Sequence, residues 1–212
     1  KMIETVCKRR PVIAMDLSTN GKGGGPYTST NRVISSKLKE SYDFRVIDYK
    51  VELGRGISIR RIIDLAEQIK SIGPDIVHFT GLQLSGFHMA VACKLAGISK
   101  SVVTVRGFSG DSIDFNPLKR ICLQYIFEPL TLLLVKKVYG VSEFVASRRV
   151  IRLFSWKSLG HIYNFPPHAE KKISRAECRR KFGFENTDIV IVSIARINKE
   201  KGYHILTKML NS

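Results

Sequence analysis

Short apolar runs alternate with longer stretches in which apolar residues recur at helical spacing. The runs have the length of buried strands, and they lie at 12–15, 44–49, 75–80, 101–106, 136–141 and 161–163. The stretches between them predict helices at about 26–40, 59–69, 85–96 and 118–135. In the second of these, the residues that share one apolar face are Ile59, Ile62, Ile63, Ala66 and Ile69. This alternation predicts an α/β fold with a doubly wound parallel sheet, because parallel neighbours need crossover connections.

A pair of prolines, Pro166 and Pro167, ends this alternation. We therefore place a first, Rossmann-like domain at 1–167. The remaining residues, 168–212, are interpreted as a linker and the opening of a second domain.

The second domain is expected to begin with one strand and one helix. An apolar run at 189–195 predicts a buried strand, and a helix is expected to begin at Gly202. Ahead of them, Ser174 and Glu177 have the spacing of a capping box, which predicts another helix start. One strand and part of one helix cannot bury their own faces, so we expect a truncated second domain.

The chain is strongly basic, with 35 basic and 18 acidic residues and a net charge of +17. This excess predicts an anionic partner such as a nucleotide phosphate or an anionic lipid surface. Nucleic acid is disfavoured, because no helix-turn-helix, aromatic RNA-binding signature or zinc finger accompanies the basic clusters. The stretch 118–135 predicts a helix packed on the sheet, but its basic and aromatic residues also fit a membrane-contacting surface.

The four cysteines are widely spaced and include no CxxC pair, which disfavours a zinc site and a disulfide framework. Scattered thiols of this kind favour a cytoplasmic location. The longest apolar stretch, 121–135, is too short and too polar to span a bilayer.

Two segments have the composition of a phosphate-binding site. Residues 20–26 are rich in glycine and lie between the first predicted strand and helix, where the backbone can closely approach a bound group. They match neither a dinucleotide fingerprint nor a P-loop. Near the end of the chain, Arg196 and Lys201 precede the helix expected at Gly202, so two cations would join a helix N-terminus in binding a diphosphate.

The order of these motifs resembles that of family 4 glycosyltransferases. The basic motif that opens the family's second domain is matched in order and spacing by Arg196, Glu200, Lys201 and Gly202. Ala195 stands where the family usually has glycine. The family's glycine pair before its first long helix corresponds to Gly24 and Gly25.

Three further segments match the same family in the same order. Residues 75–80 resemble its third strand, with the pattern Asp-hydrophobic-hydrophobic-His. Residues 141–143 resemble its Val-Ser-Glu helix start. Residues 162–164 resemble its Ile-x-Asn-Gly segment, with Phe165 in place of the glycine. The resemblance therefore extends over nearly the whole chain.

The resemblance implies a GT-B fold, in which two Rossmann-like domains face one another across a cleft. It implies a retaining glycosyltransferase that moves a sugar from a nucleotide-sugar donor to a glycan or lipid-linked acceptor in polysaccharide or cell-envelope biosynthesis. Such an enzyme would be cytoplasmic, with peripheral attachment to the anionic inner face of the membrane as an option. It would need neither a metal ion nor a cofactor. The family's paired glutamates have no counterpart here, so we expect this polypeptide alone to be inactive.

By the same resemblance, the donor diphosphate would be held by Gly24, Gly25, Arg196 and Lys201. The residues expected to line the cleft are Arg106, Ser142 and Asn164. Arg106 stands at a strand end where the family often carries histidine, so it could contact an acidic acceptor or a phosphate. It could equally pair with Asp111 or Asp114.

No catalytic residue is assigned from the sequence. His78 is expected to be a structural strand residue, and His88 fits either the core or the cleft. Two other classes stay open: a nucleotide-sugar epimerase of the same fold, and a non-catalytic basic binding module.

Overall fold

A single parallel sheet of six strands, in the order β2-β1-β3-β4-β5-β6, organises the first part of the chain. The computed structural model describes residues 9–17, 24–113, 115–165, 172–195, 197 and 199–210. The strands are β1 Val12–Leu17, β2 Asp43–Asp48, β3 Ile76–Thr80, β4 Ser101–Val105, β5 Lys137–Gly140 and β6 Ser158–His161. All five strand pairings are parallel. The predicted α/β fold with a parallel, Rossmann-like sheet is confirmed.

Helices connect successive strands. Those of this first part are α1 Gly25–Ile34, α2 Ile59–Ile72, α3 Leu84–Leu95, α4 Pro117–Cys122, α5 Glu128–Leu134, α6 Glu143–Ala146 and α7 Arg149–Arg152. The core consists of apolar residues from the inner strands and from α2, α3 and α5, such as Ala14, Val77, Val103, Leu65 and Leu132. The chain divides into two compact units, Lys1–Asn164 and Phe165–Ser212.

The first helix is shorter than the predicted 26–40. It ends at Ile34, and a separate 3₁₀ helix follows at Lys37–Glu40. Ser36 causes the break, since its hydroxyl accepts a hydrogen bond from the Leu38 N–H at 3.2 Å and so caps a new helix start.

The second helix buries Ile62, Ala66 and Ile69, as predicted, but its buried face is turned away from Ile59 and Ile63 and towards Leu65. Ile62, Leu65 and Ile69 are buried, whereas Ile59 is 72% exposed. Arg61 is only 3% exposed, because its guanidinium bonds carbonyl groups of the loop that follows β2. A polar residue therefore lies within the buried face.

The helical stretch predicted over 118–135, with a kink at Pro129, is interrupted close to that proline. A π-helical turn, Leu123–Phe127, separates α4 from α5. Pro129 lies in the first turn of α5 and has no N–H for the carbonyl of Tyr125, so a wider turn accommodates it. Leu123 and Leu132 are buried, and Leu132 belongs to the core that also includes residues of the inner strands.

The last strand lies earlier than the predicted 161–163. It runs from Ser158 to His161 and pairs with β5 across an irregular register. This pairing carries Asn164 beyond the end of the strand.

The second unit contains α8 Arg175–Lys181, a 3₁₀ turn at Lys199–Lys201, and α9 Tyr203–Leu210. The predicted capping box is confirmed: Ser174 Oγ accepts from the Glu177 N–H at 3.1 Å, and Glu177 Oε2 accepts from the Ser174 N–H at 2.8 Å. The helix expected at Gly202 is confirmed as well, beginning one residue later.

The strand predicted at 189–195 is not formed, since these residues have irregular structure. Ile189 and Ile194 are 93% and 95% exposed. A strand requires a neighbour to pair its N–H and C=O groups, and the described residues of this unit, 172–195, 197 and 199–210, include none.

Candidate functional site

The direction of chain progression reverses between β1 and β3, because β2 lies on one side of β1 and the later strands on the other. Open parallel sheets bind ligands beyond the carboxyl ends of their strands at such a switch point. Asp16 lies near the end of β1, and Thr80 ends β3. The Thr80 backbone N–H bonds to the Asp16 carboxylate. This edge of the sheet is the candidate site.

Arg106 follows β4 at the same edge and is half-buried. Its Nη1 donates to Asn164 Oδ1 at 3.2 Å and lies 3.5 Å from Ser29 Oγ in α1. Its Nε is buried with no hydrogen-bond partner among the described residues. The guanidinium thus links three elements of the fold and keeps one N–H unsatisfied. Burial lowers the pKa of Arg106, against the favourable charges of Tyr139 and Asp16.

Arg106 is not paired with Asp111, one of the two partners considered from the sequence. The Asp111 carboxylate instead accepts from Arg148 Nη2 at 2.7 Å. The other candidate partner, Asp114, lies outside the described residues. Asn164, predicted to line the cleft, does share this edge with Arg106.

Asp16 is the acidic group of the site. Burial raises its pKa to about 7, and hydrogen bonds from the Thr80 N–H and its own N–H, with the charge of Arg106, oppose the rise. A carboxyl group with a pKa near neutrality can both accept and donate a proton at physiological pH, which suits general acid–base chemistry.

His78 on β3 lies beside two hydroxyl groups. Its Nε2 is 2.7 Å from Thr104 Oγ1 and 3.2 Å from the Tyr139 hydroxyl. Burial, reinforced by the charge of Arg106, lowers the pKa of His78 to about 4. The ring is therefore neutral at pH 7, so it orients hydroxyl groups and does not supply a charge.

The glycine turn ahead of α1 differs between its two glycines. Gly24 has φ 148°, a backbone conformation that favours glycine, and it precedes the first helical residue. Gly25 has an ordinary φ, and a Cβ added there would meet no atom of the described residues within 4 Å. The fold therefore explains the glycine at 24 but gives no packing reason for the one at 25. Ser29, in the second turn of α1, brings this helix to Arg106.

Ser142 has a structural role as the N-cap of α6. Its hydroxyl accepts from the Val145 N–H at 3.3 Å and caps α6, which confirms the predicted helix start. Asp75 is similarly structural, because its Oδ2 accepts from the Val12 N–H at 2.7 Å and so ties β1 to the start of β3.

The two basic residues of the predicted diphosphate site belong to the second unit. Lys201 is exposed at the end of a 3₁₀ turn, directly before the positive φ of Gly202. Arg196 lies outside the described residues, so the pairing of the two cations stays a prediction.

From the sequence, His88 fitted either the core or the cleft, and the structure places it in the core. It is fully buried and bonds the Tyr49 hydroxyl and the Ser58 backbone N–H.

Sequence reasoning missed Asp16 and Tyr139. Asp16 did carry a signal: it is the acidic residue at the end of the first strand, just ahead of the glycine-rich segment. Tyr139 carried none, since its proximity to His78 depends on the pairing of β4 with β5.

Among the residues that the structure describes, no group of three or more His, Cys, Asp or Glu could hold a metal ion. Within the same residues, no helix has the length and apolar character needed to cross a membrane. No protein-family model matches this chain, and no curated protein matches it significantly. The geometry of the first unit therefore carries the functional argument.

Proposed function

We propose that this chain belongs to a GT-B glycosyltransferase that moves a sugar, with retention, from a nucleotide-sugar donor to a glycan or lipid-linked acceptor. The observation that carries the proposal is the half-buried Arg106, whose Nε–H has no partner among the described residues, at the carboxyl edge of a parallel sheet. A buried donor without an acceptor is costly, and an anionic oxygen of a substrate would satisfy it.

The glycine turn supports the same assignment. A Cβ added at position 25 would meet none of the described atoms within 4 Å, and a ligand that approaches the backbone closely would account for the glycine there. The first turn of α1 offers N–H groups without a side-chain cap, which suits a phosphate oxygen.

In this proposal Asp16 is the general base for the acceptor hydroxyl group. The bond from the donor's anomeric carbon to the diphosphate breaks, and a bond to the acceptor hydroxyl oxygen forms. The Asp16 carboxylate takes the hydroxyl proton, while Arg196 and Lys201 stabilise the leaving diphosphate without a metal ion. Arg106 orients an anionic part of a substrate.

The experiment that tests this is transfer of a radiolabelled sugar from a panel of nucleotide sugars by the full-length protein, with Arg106→Gln beside it. Arg60→Gln is the matched control, because Arg60 is exposed on α2. Transfer that is lost with Arg106→Gln and kept with Arg60→Gln supports the proposal. Absence of any transfer or donor hydrolysis contradicts it.

A nucleotide-sugar epimerase is the second candidate, favoured by the pKa of about 7 at Asp16. Epimerisation needs a group that exchanges protons at the active site, and Asp16 meets that requirement. An assay without any acceptor distinguishes the two functions: an epimerase converts its nucleotide sugar alone, whereas a glycosyltransferase needs the acceptor.

Peripheral membrane attachment is a further part of the proposal. The outer side of α4 and the π-helical turn exposes Leu118 (72%) and Tyr125 (68%) next to Lys119 and Arg120. Apolar and basic side chains together suit an anionic bilayer surface. Co-sedimentation with anionic vesicles should fall when Leu118 and Tyr125 are both changed to serine. Unchanged binding would contradict the proposed membrane attachment.

A further inference from the structure

A second concave site lies on the first unit, and its lining includes neither Arg106 nor Asp16. It is a cavity of about 490 Å³ between the loop after β2, the start of α3 and the helix α4. Its polar and charged lining residues are Tyr49, Arg55, Arg61, Gln83, Ser85 and Lys119. Its volume falls within the range of small-molecule sites, about 300–1,000 Å³.

The charged residues of the described lining are all cationic. Arg55, Arg61 and Lys119 carry positive charges, and none of the described lining residues is acidic. The ion pairs found among the described residues include none of these three cations. Unbalanced charge of one sign around a concavity concentrates counter-ions there, which favours an anionic ligand.

Arg61 is the buried cation in the wall of the cavity. It is 3% exposed, and its guanidinium bonds the carbonyl oxygens of Lys50 at 2.9 Å and Val51 at 2.8 Å, together with the carbonyl of Gly54. These partners fix the loop around the charge without neutralising it, since carbonyl groups carry only dipoles. A charge buried without a counter-ion is expensive, and an anion in the cavity would offset that cost.

A neutral histidine supports the wall behind Arg61. The Ser58 backbone N–H donates to His88 Nε2 at 3.2 Å, so the ring proton resides on Nδ1, 2.8 Å from the Tyr49 oxygen. Arg61 Nη1 donates to the same oxygen at 3.3 Å. Burial lowers the pKa of His88 to about 4, so this wall adds no further charge near neutral pH.

The start of α3 adds backbone donors. Gln83, its N-cap residue, makes no side-chain capping bond, and Gln83, Leu84 and Ser85 all line the cavity. The first residues of a 12-residue helix therefore lie at the same concavity as the three cations, and the first N–H groups of a helix have no partner within it. The lining also includes the apolar residues Val51, Leu84 and Leu123, which could contact an apolar part of the group attached to the anion.

We propose that this cavity, here named the Arg61 pocket, binds a phosphate group together with the moiety that carries it. That the bound molecule is the acceptor rests on the proposed glycosyltransferase function, whereas the binding itself does not. The phosphate could come from a soluble sugar phosphate or from a phospholipid headgroup.

Two probes separate these sources: glucose 1-phosphate and soluble dihexanoyl phosphatidic acid, each titrated calorimetrically into the full-length protein. The test variant is Arg55→Gln with Lys119→Gln, two exposed residues whose change spares the hydrogen bonds of Arg61. The control is Arg60→Gln with Lys70→Gln, which removes the same charge from exposed positions outside the pocket. Thermal unfolding of both variants checks that they fold.

The expected result is binding of at least one probe, weakened about tenfold in the test variant and unchanged in the control. The probe that binds more tightly identifies the source. A Lys201→Gln variant should bind as the wild type does, which separates this pocket from the donor site. Failure of both probes to bind, or equal weakening in test and control variants, overturns the proposal. Donor transfer is measured separately, so either proposal can fail alone.

Discussion

Arg106 Nη1 lies 3.2 Å from Asn164 Oδ1, a contact between residues 58 positions apart that joins the end of β4 to the segment after β6. Since the last residue of the first unit is Asn164, the contact fixes that end of the unit against the carboxyl edge of the sheet. The cation, the amide and the nearby Asp16 thus form one polar group around the point where the strand order reverses.

Gly25→Ala separates a ligand-binding role from a structural one. The alanine Cβ would meet no atom of the described residues within 4 Å, so the thermal unfolding midpoint should stay the same or rise slightly. Nucleotide-sugar affinity should fall, because the methyl group would occupy the space where a phosphate approaches the backbone. Calorimetric titration of the full-length protein measures this.

Gly24→Ala provides the comparison for that experiment. Its φ of 148° strains any residue with a side chain, so the free energy of unfolding should drop by about 1–3 kcal/mol. If Gly25→Ala destabilised the protein equally, the glycine pair would be explained by the turn alone.

Asp16→Asn should make the protein more stable at alkaline pH. The folded-state pKa of Asp16, about 7, exceeds its ordinary value of 3.8, so the native state holds the proton more tightly. Stability from this group is therefore lost as the pH rises from about 4 to 7. Urea denaturation should show the variant gaining about 4 kcal/mol over the wild type at pH 8 and little at pH 4. A constant difference across that range would contradict the raised pKa.

His78→Gln should change the response to acid. The folded-state pKa of His78 is about 4, below its ordinary value of 6.5, so the unfolded chain binds the proton first. The wild type should lose about 1–2 kcal/mol from this residue between pH 7 and pH 4.5, and the variant should not. Denaturation at the two pH values measures the difference, with exposed His161→Gln as the control.

Glu128 supports the loop that follows β4. It is fully buried, its Oε1 accepts from the Ser109 N–H at 2.6 Å, and burial raises its pKa. Glu128→Gln keeps an acceptor without a charge, so stability at pH 7 should be retained or increased. Glu128→Ala leaves the Ser109 N–H unpaired and should cost about 1–3 kcal/mol. Equal loss in both variants, measured by urea denaturation, would show that the carboxylate charge itself is needed.

Much of the first unit is predictable from sequence because its strands and helices carry local signals. The apolar runs, Gly73 at the end of α2 and the capping residues Ser58 and Ser142 act over a few neighbouring positions. The parallel pairing of the strands then follows from the helices that connect them, whereas the order of the strands is given by the structure.

What could not be predicted depends on partners far along the chain. The burial of Arg61 arises from carbonyl groups of the loop after β2, and the pKa of Asp16 depends on Thr80 and Arg106. The apolar run at 189–195 shows the converse case. A strong local strand signal does not form a strand without a neighbouring strand to pair with.

The most direct test of the central claim is donor binding to the full-length protein with Arg196 and Lys201 both changed to alanine. Affinity for the preferred nucleotide sugar should fall by about a hundredfold, since two charge-assisted contacts to the diphosphate would be lost. A matched double change at exposed Arg60 and Lys70 should leave affinity unaltered. If the alanine variant binds the donor as tightly as the wild type, these cations do not hold the diphosphate and the glycosyltransferase assignment is contradicted.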